Sequence, residues 1–385
     1  MEAGVNPRLF WIFALSSLVY FTQGIENLPN QGLFYYLKES LNFSPEKIMF
    51  ITSFTTLAWL VKPVIGYIVD NFLNKRLWIF IALAFDAALV LFLGLARLPL
   101  VVLISFIVLN STNTAFRDVA VDGIMCVEGK KYNTTGKIQS IQWISISIAV
   151  LITGIAGGWI AQRYDYKMAF LCLLPVYVLV GVAAFFYKGG HENDNKRAST
   201  LFKDLKRLFS DRKLLIIGLF IFLYKYSPSF GAPLLFIQRD VFGWSKIKIG
   251  ALGTFGTVFG IIGAVLYYRF SQRINIKKWL FFSVFLGAVT TLSYLHYTPV
   301  SAVIYDVVYS LIGMFIFLMI MDFMARNTAK GLEATSFALL CSISNLALTA
   351  SNLSGAFLLD ILGLKWLIML SSATSFLCLF LIRKI

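Results

Sequence analysis

One stretch of this 385-residue chain carries three ionisable side chains next to a strongly apolar segment. Ser111 to Gly129 reads STNTAFRDVAVDGIMCVEG and contains Arg117, Asp118 and Asp122. Asp118 and Asp122 are four residues apart, so a helix presents both carboxylates on one face. Arg117 lies roughly 100° around such a helix from Asp118. Ionisable side chains inside an apolar helix either pair with groups on neighbouring helices or form a substrate or proton site, and both interpretations stay open.

Other polar side chains interrupt apolar segments elsewhere. Glu26 lies near the middle of the first apolar segment, among glycine, proline and amide residues that allow a helix to break locally. Lys225 lies between two tyrosines, an arrangement that suits a flat anion. For each of these charged side chains, the alternative to a role in substrate binding is a purely structural ion pair. The candidate substrate-binding residues are Gln23, Glu26, Lys62, Arg117, Tyr224, Lys225 and Tyr226.

The charges within the apolar segments also suggest proton coupling. Lys62, Arg117 and Lys225 are the three basic residues placed inside them, and Glu26 and Asp118 are the acids best placed to offset these cations. We expect one resting network among these five residues, because unpaired charges are costly there. A substrate anion that replaced Glu26 or Asp118 would leave a carboxylate in partly apolar surroundings, where it could bind a proton.

A second cluster indicates an inner gate. The segment GYIVDNFLNKR places an acid four residues after a glycine and a basic pair shortly afterwards. This pattern is typical of the loop between the second and third helices of major facilitators, although the loop here is longer than usual. The predicted gate residues are Gly66, Asp70, Lys75, Arg76 and Asp122.

The composition of the chain indicates which kind of structure holds these residues. The chain is 58% hydrophobic and 14% charged, whereas soluble domains carry about 25% charged residues. Apolar runs of roughly 20 residues, long enough to cross a bilayer, recur throughout, so the sequence predicts an all-α polytopic membrane protein. The twelve predicted spans are 9–37, 44–69, 77–96, 100–127, 138–161, 167–187, 214–237, 246–270, 279–297, 301–326, 333–358 and 365–383.

The distribution of basic residues predicts the orientation. With the amino terminus inside, 22 of the 34 Lys and Arg residues fall in inner segments and nine in outer ones, which places both termini in the cytoplasm. One long polar stretch, 188–213, contains STLFKDLKRLF, which predicts a short amphipathic helix on the inner membrane face. It divides the chain into an amino-terminal six-helix bundle at 1–187 and a carboxy-terminal one at 214–385.

The two halves repeat. Shifting the chain by 201 residues aligns Tyr35–Ser44 with Phe236–Ser245, with apolar, basic, acidic and serine positions in the same order. Gly154 meets Gly355 at the same offset. Two parallel six-helix repeats with a basic linker predict the major facilitator fold, which works by rocking of the two halves.

The sequence also argues against other classes of protein. It contains no phosphate-binding loop, zinc-protease motif or nucleophile elbow. Its two histidines, His191 and His296, lie in the linker and at an outer helix end, and its four cysteines lack metal-ligand spacing. We therefore expect no catalytic residue, metal or cofactor. The surplus of +15 charges follows membrane topology and does not indicate a nucleic-acid partner. The expected partners are a small-molecule substrate and membrane lipid, with the protein as a monomer.

Two segments of the first half resemble the folate–biopterin transporter family of major facilitators. They are YFTQGIENLPNQGLFYYLKESLNFSPEKI and TLAWLVKPVIGYIVD. The RDVAVDG stretch, Arg117 to Gly123, is similar to the fourth-helix motif of that family and of acetyl-CoA transporters and muropeptide permeases. The resemblance covers roughly the first 160 residues, and the second half matches only in architecture. It implies pterin or folate transport, commonly with protons.

The leading hypothesis is therefore a secondary active transporter for a small, anionic aromatic solute of the folate or pterin type. The alternatives are another organic anion of the acyl-CoA, nucleotide, muropeptide or sugar type, or a membrane-embedded enzyme or receptor. The chain lacks the long loops of many eukaryotic family members, which favours a prokaryotic source and the bacterial inner membrane.

Overall fold

A computed structural model describes residues 7–43, 51, 59, 61–189, 206, 208 and 210–382. Across these ranges the regular structure is helical, without a strand. The helices are α1 (Pro7–Ile25), α2 (Asn30–Tyr35), α3 (Lys62–Asn71), α4 (Lys75–Leu95), α5 (Leu100–Tyr132), α6 (Thr135–Arg163), α7 (Tyr166–Leu171), α8 (Leu174–Phe186), α9 (Arg212–Lys225), α10 (Gly231–Phe236), α11 (Lys246–Phe270), α12 (Ile276–Ser293), α13 (Pro299–Arg326), α14 (Glu333–Ser375) and α15 (Leu379–Ile382).

Within the described ranges, nine helical stretches are long and apolar enough to cross a membrane. The last of them, Glu333–Ile382, contains a break at Gly363, whose φ of 70° is outside the helical region. Most of the second predicted span lies outside the described residues, and the seventh is divided between α9 and α10. The number twelve therefore stays a prediction. The amphipathic helix expected within 188–213 also falls almost entirely outside the described ranges.

Side chains at several helix starts explain where the elements begin. The side chain of Asn74 accepts a hydrogen bond of 2.7 Å from the backbone N–H of Leu77 at the start of α4. Ser245 caps α11 in the same way, and Thr298 forms a capping box with Ser301 at α13. Each cap satisfies a backbone donor that the first helical turn leaves unpaired.

The contacts divide the chain into two compact units. The first unit comprises Met1–Leu201 together with Thr328–Ala338, and the second comprises Phe202–Asn327 and Leu339–Ile385. The segment Thr328–Ala338, which we call the docked segment, thus belongs to the first unit although the chain on both sides of it belongs to the second. It includes the first turns of α14.

Glycines allow close helix packing in each unit. In the first unit a Cβ on Gly24 of α1 would lie 2.6 Å from Cβ of Ala149 on α6. In the second unit a Cβ on Gly263 of α11 would lie 2.2 Å from the backbone oxygen of Leu311 on α13. A side chain at either position would collide with the neighbouring helix, as expected for small residues at membrane helix contacts.

The predicted repeat is visible in the backbone. α1 ends at Ile25 and α2 begins at Asn30, and α9 ends at Lys225 and α10 begins at Gly231, so both helices break where polar residues interrupt the apolar sequence. π-Helical turns follow at Tyr36–Ser40 and Ile237–Val241, which are 201 residues apart. Asn42 and Gly243, at the same offset, both have positive φ, 52° and 66°. The two halves therefore use the same irregular turn.

Candidate functional site

A buried ionic network lies in the first unit around Arg117 of α5. Its Nη2 donates a hydrogen bond to Glu26, in the break after α1. Its Nε lies 3.0 Å from Oδ2 of Asp86 on α4. Glu26 also accepts hydrogen bonds from Tyr177 of α8 at 2.9 Å and from Thr114 at 2.8 Å. One guanidinium, 1% exposed, is thus held between carboxylates from two other parts of the unit.

A second ion pair lies along α5. Nζ of Lys62, at the start of α3, contacts Oδ2 of Asp118. Asp122, one turn further along α5, accepts hydrogen bonds from the hydroxyl of Tyr20 at 2.9 Å and from the amide of Gln142 at 3.4 Å. Asp118 and Asp122 are both buried.

The structure distributes the charges differently from the single network that the sequence suggests. Glu26 pairs with Arg117, and Asp118 pairs with Lys62. Lys225 belongs to the second unit, where none of the described carboxylates contacts it. Four of the five predicted residues therefore form two ion pairs, and the fifth is a cation without such a pair.

An open cavity of about 330 Å³ borders the first network. Amide and hydroxyl side chains form much of its wall, so it suits a polar solute. Two predicted substrate residues, Gln23 and Glu26, line it, whereas Lys62 reaches its edge through Trp59, whose ring centre lies 4.4 Å from Nζ. The other lining residues include Asn27, Asn30, Asn110, Ser111, Thr114 and Phe170.

The second unit has its own cavity, of about 290 Å³. Lys225 lines it, with Nζ 5.1 Å from the ring centre of Phe317. Tyr224 also lines it and donates a hydrogen bond of 3.3 Å to Ser283. Tyr226 instead stacks on Phe222, with ring centres 5.9 Å apart. The further lining residues include Leu286, Gly287, Thr290, Tyr309, Ile312 and Gly313.

The predicted gate residues separate into two groups. Oδ2 of Asp70 accepts hydrogen bonds from the backbone N–H and the hydroxyl of Thr335, at 2.8 and 2.7 Å, and Lys75 lies 3.1 Å from Oδ1. Asp70 thus binds the docked segment at the amino-terminal end of α14, where a negative charge is favourable. Arg76 lies elsewhere and donates to the backbone oxygen of Phe185. Asp122 is likewise absent from these contacts, as described above.

Gly66 allows this contact to form. A Cβ at Gly66 would lie 2.8 Å from Cα of Thr335 in the docked segment. We expect Gly66→Ala to displace the docked segment, because backbone atoms must move to make room. Transport should then fall by about tenfold or more, since 1.4 kcal/mol corresponds to a factor of ten, while substrate affinity changes by less than about twofold. Initial uptake rates and equilibrium binding measure the two effects.

Gly154→Ala is the matched control, because a Cβ at Gly154 of α6 meets no atom within 4 Å. It should leave both quantities unchanged. Asp70→Asn should reproduce the Gly66→Ala result by weakening the contacts to Thr335 and Lys75. Equal losses of rate and affinity in Asp70→Asn would instead place Asp70 in the substrate site.

Sequence reasoning missed several residues of these clusters. Asp86 stands out only as one more acid in an apolar segment, and nothing in its spacing connects it with Arg117. Tyr177 and Thr114 carry no charge, so their hydrogen bonds to Glu26 depend on helix packing. Lys130 is one of the basic residues counted in the inner segments and belongs to no motif, yet its Nζ donates a 2.9 Å hydrogen bond to Thr328 in the docked segment.

Comparison with known proteins decides the family. The model of the BT1 family matches residues 23–383. The chain belongs to the BT1 family. A similar relative is the "Folate-biopterin transporter" of Synechocystis sp., 24% identical over 90% of this chain and 74% of the relative. "Folate transporter 1" of Plasmodium falciparum is 22% identical over 89% of this chain and 71% of the relative. The predicted resemblance is confirmed, and it extends through both halves.

Solved structures establish the fold of this BT1-family protein. The major facilitator superfamily transporter FucP in the outward conformation superposes with a TM-score of 0.75, at 13% identity, over 97% of this chain and 98% of FucP. The human organic anion transporter MFSD10 gives a TM-score of 0.71 at 16% identity, over 99% and 100% of the two chains. The chain therefore has the major facilitator fold. It is a multi-pass membrane transporter of a small molecule, and not an enzyme.

Proposed function

We propose that this BT1-family protein moves a folate- or pterin-type anion across the membrane by alternating access, with proton coupling. The names of its relatives in Synechocystis and Plasmodium favour this substrate class. The observation that carries the proposal is Lys225, a cation at the wall of an aromatic cavity without a described carboxylate partner.

The surroundings of Lys225 suit a flat anion. Burying an ammonium group away from water is costly unless a counter-charge compensates it. The rings of Tyr224, Tyr309 and Phe317 line the same cavity, and aromatic faces stack on a planar heterocycle. A carboxylate of the substrate would supply the missing negative charge, while its rings contact the tyrosines. Substrate binding thereby compensates a cost that the empty transporter carries.

The first unit provides the coupling groups. Lys62 is bound by Asp118, and Arg117 by Glu26, which also lines a cavity. A substrate anion that competes for either cation releases a carboxylate into surroundings with little water. Such a carboxylate is stabilised by binding a proton. Anion binding and proton binding would then favour each other.

The coupling variants have distinct expected results. Glu26→Gln or Asp118→Asn should abolish accumulation driven by a pH gradient, because the neutral side chain no longer binds and releases a proton. Exchange of substrate across the membrane should continue at a reduced rate, since exchange needs no net proton movement. Uptake and counterflow in proteoliposomes measure the two activities. Accumulation against a gradient in both variants would refute this coupling scheme and reduce both sites to structural ion pairs.

The proposed orientation of the helices in the membrane follows from the basic residues. Residues 1–187 and 214–385 form two six-helix bundles joined by the cytoplasmic linker 188–213, with both termini in the cytoplasm of a bacterial cell and the monomer in the inner membrane. The excess of basic residues in the inner segments supports this orientation. Labelling of single cysteines introduced at Lys188 and Arg239 tests it: Lys188→Cys should react from the cytoplasm only and Arg239→Cys from outside only.

A ligand screen tests the substrate class. A ligand that binds only the folded protein raises its unfolding temperature as the ligand concentration exceeds the dissociation constant. Folic acid and biopterin should raise the midpoint of the purified protein, and p-aminobenzoylglutamate should raise it less because it lacks the pterin ring. Stabilisation only by acyl-CoA compounds, nucleotides, muropeptides or sugars would refute the folate or pterin assignment.

A further inference from the structure

Arg117 is flanked by one more negative group than it can neutralise. Its guanidinium carries a single permanent positive charge, and Glu26 and Asp86 both lie within ion-pair distance of it. Exposure to water is 1% for Arg117 and 0% for Asp86, so solvent does not disperse the surplus charge. Among the described residues no second cation contacts this group. Two ionised carboxylates beside one buried cation are electrostatically unfavourable.

Hydrogen bonding distinguishes the two acids. Glu26 accepts hydrogen bonds from Arg117, Thr114 and Tyr177, a set of donors that stabilises a carboxylate anion. Asp86 is within 3.0 Å of Nε of Arg117, but neither of its oxygens accepts a well-aligned hydrogen bond from that group, and its remaining polar neighbour among the described residues is the neutral amide of Asn113. A carboxyl group so placed is more stable when neutral.

We propose that Asp86 holds a proton at neutral pH and that Asp86 and Glu26 share it as the proton-binding site of this protein. Glu26 faces the cavity of the first unit, whereas Asp86 lies behind Arg117, so a proton enters through Glu26 and is retained at Asp86. The uncharged polar groups that face the pair are Tyr177 on α8 and Thr114 and Asn113 on α5. The role of this pair in transport rests on the proposed function, whereas the presence of a proton on Asp86 is independent of it.

Another buried acid provides a contrast. Asp322 of α13 is also 0% exposed, but it accepts two hydrogen bonds of 2.9 Å from Arg326 and one of 2.8 Å from Tyr267. These three hydrogen bonds, two of them from a cation, favour the ionised form, so Asp322 does not meet the description of Asp86. Asp122 provides no such contrast, because among the described residues it accepts hydrogen bonds from the neutral groups of Tyr20 and Gln142, both at Oδ1.

Infrared spectroscopy of the purified, substrate-free protein in lipid nanodiscs tests the proposal. A protonated carboxylic acid has a carbonyl stretch that is separate from the amide bands and shifts in D2O. We expect Asp86→Asn to remove one such band from the neutral-pH spectrum. Glu26→Gln should remove it as well, since Arg117 and an ionised Asp86 then balance. Asp322→Asn is the matched control and should leave the band intact.

The outcomes separate the bound proton from the transport cycle. Loss of the band in both Asp86→Asn and Glu26→Gln supports the proposal, even if reconstituted protein fails to transport folic acid. Persistence of the full band in folded Asp86→Asn overturns it. If Asp86→Asn does not fold, the Glu26→Gln spectrum decides, because an unchanged band there contradicts a proton shared by the pair. In liposomes, Asp86→Asn should lose accumulation driven by a pH gradient and retain counterflow.

Discussion

Lys225→Met is expected to weaken binding of folic acid by roughly 30-fold or more, because truncating one partner of a buried charge pair costs about 2–5 kcal/mol. The substrate-free protein should be at least as stable as the parent, since the variant removes a cation that no described carboxylate balances. Equilibrium binding of radiolabelled folic acid and thermal unfolding in detergent measure the two effects. This combination distinguishes a substrate contact from a structural ion pair.

Lys248→Met is the matched control for that experiment. Lys248 also stacks on an aromatic ring, with Nζ 4.1 Å from the ring centre of Trp244, but it is exposed and does not line the cavity. Lys248→Met should therefore bind folic acid with the affinity of the parent protein. Lys225→Arg, which keeps the charge, should recover part of the affinity. Binding by Lys225→Met within about twofold of the parent would remove Lys225 from the substrate site.

Arg117→Met is expected to destabilise the protein by about 3–5 kcal/mol, the usual cost of leaving a buried charge uncompensated. The variant removes the only described cation beside Glu26 and Asp86. Denaturant titration in detergent, followed by tryptophan fluorescence, gives the free energies of unfolding.

Double variants show which acid carries the charge. Glu26→Gln added to Arg117→Met should restore most of the lost stability, because it removes the negative charge of Glu26 that Arg117→Met leaves without a cation. Asp86→Asn added to Arg117→Met should restore little, since a protonated Asp86 is already neutral. Equal rescue by both would mean that the negative charge is shared evenly, and no rescue by either would show that Arg117 acts through packing.

Patterns that are local in sequence predicted much of the architecture. Apolar runs marked the helices, and the offset of 201 residues aligned the two segments in which the structure has π-helical turns, Tyr36–Ser40 and Ile237–Val241. The polar residues around Glu26 correctly marked a helix break. These features depend on near neighbours in the chain, so they are visible before the fold is known.

The pairing of charges was harder to predict, because it depends on which helices touch. Asp86 comes from α4 and Glu26 from the break after α1, so only packing brings both to Arg117. Asp122 was assigned to the gate from its position near the inner end of α5, but Tyr20 and Gln142 bind it. Thr335 has no charge or motif, and its contact with Asp70 depends on the docked segment.

Proton-driven folate transport can be measured as uptake of radiolabelled folic acid into proteoliposomes with an imposed pH gradient and no ATP. We expect transient accumulation above equilibrium, which a protonophore should abolish. Glu26→Gln and Lys225→Met should lack this accumulation, and Lys248→Met should retain it. Biopterin should compete with the labelled substrate. Uptake that ignores the pH gradient and depends strictly on added ATP would contradict secondary active transport.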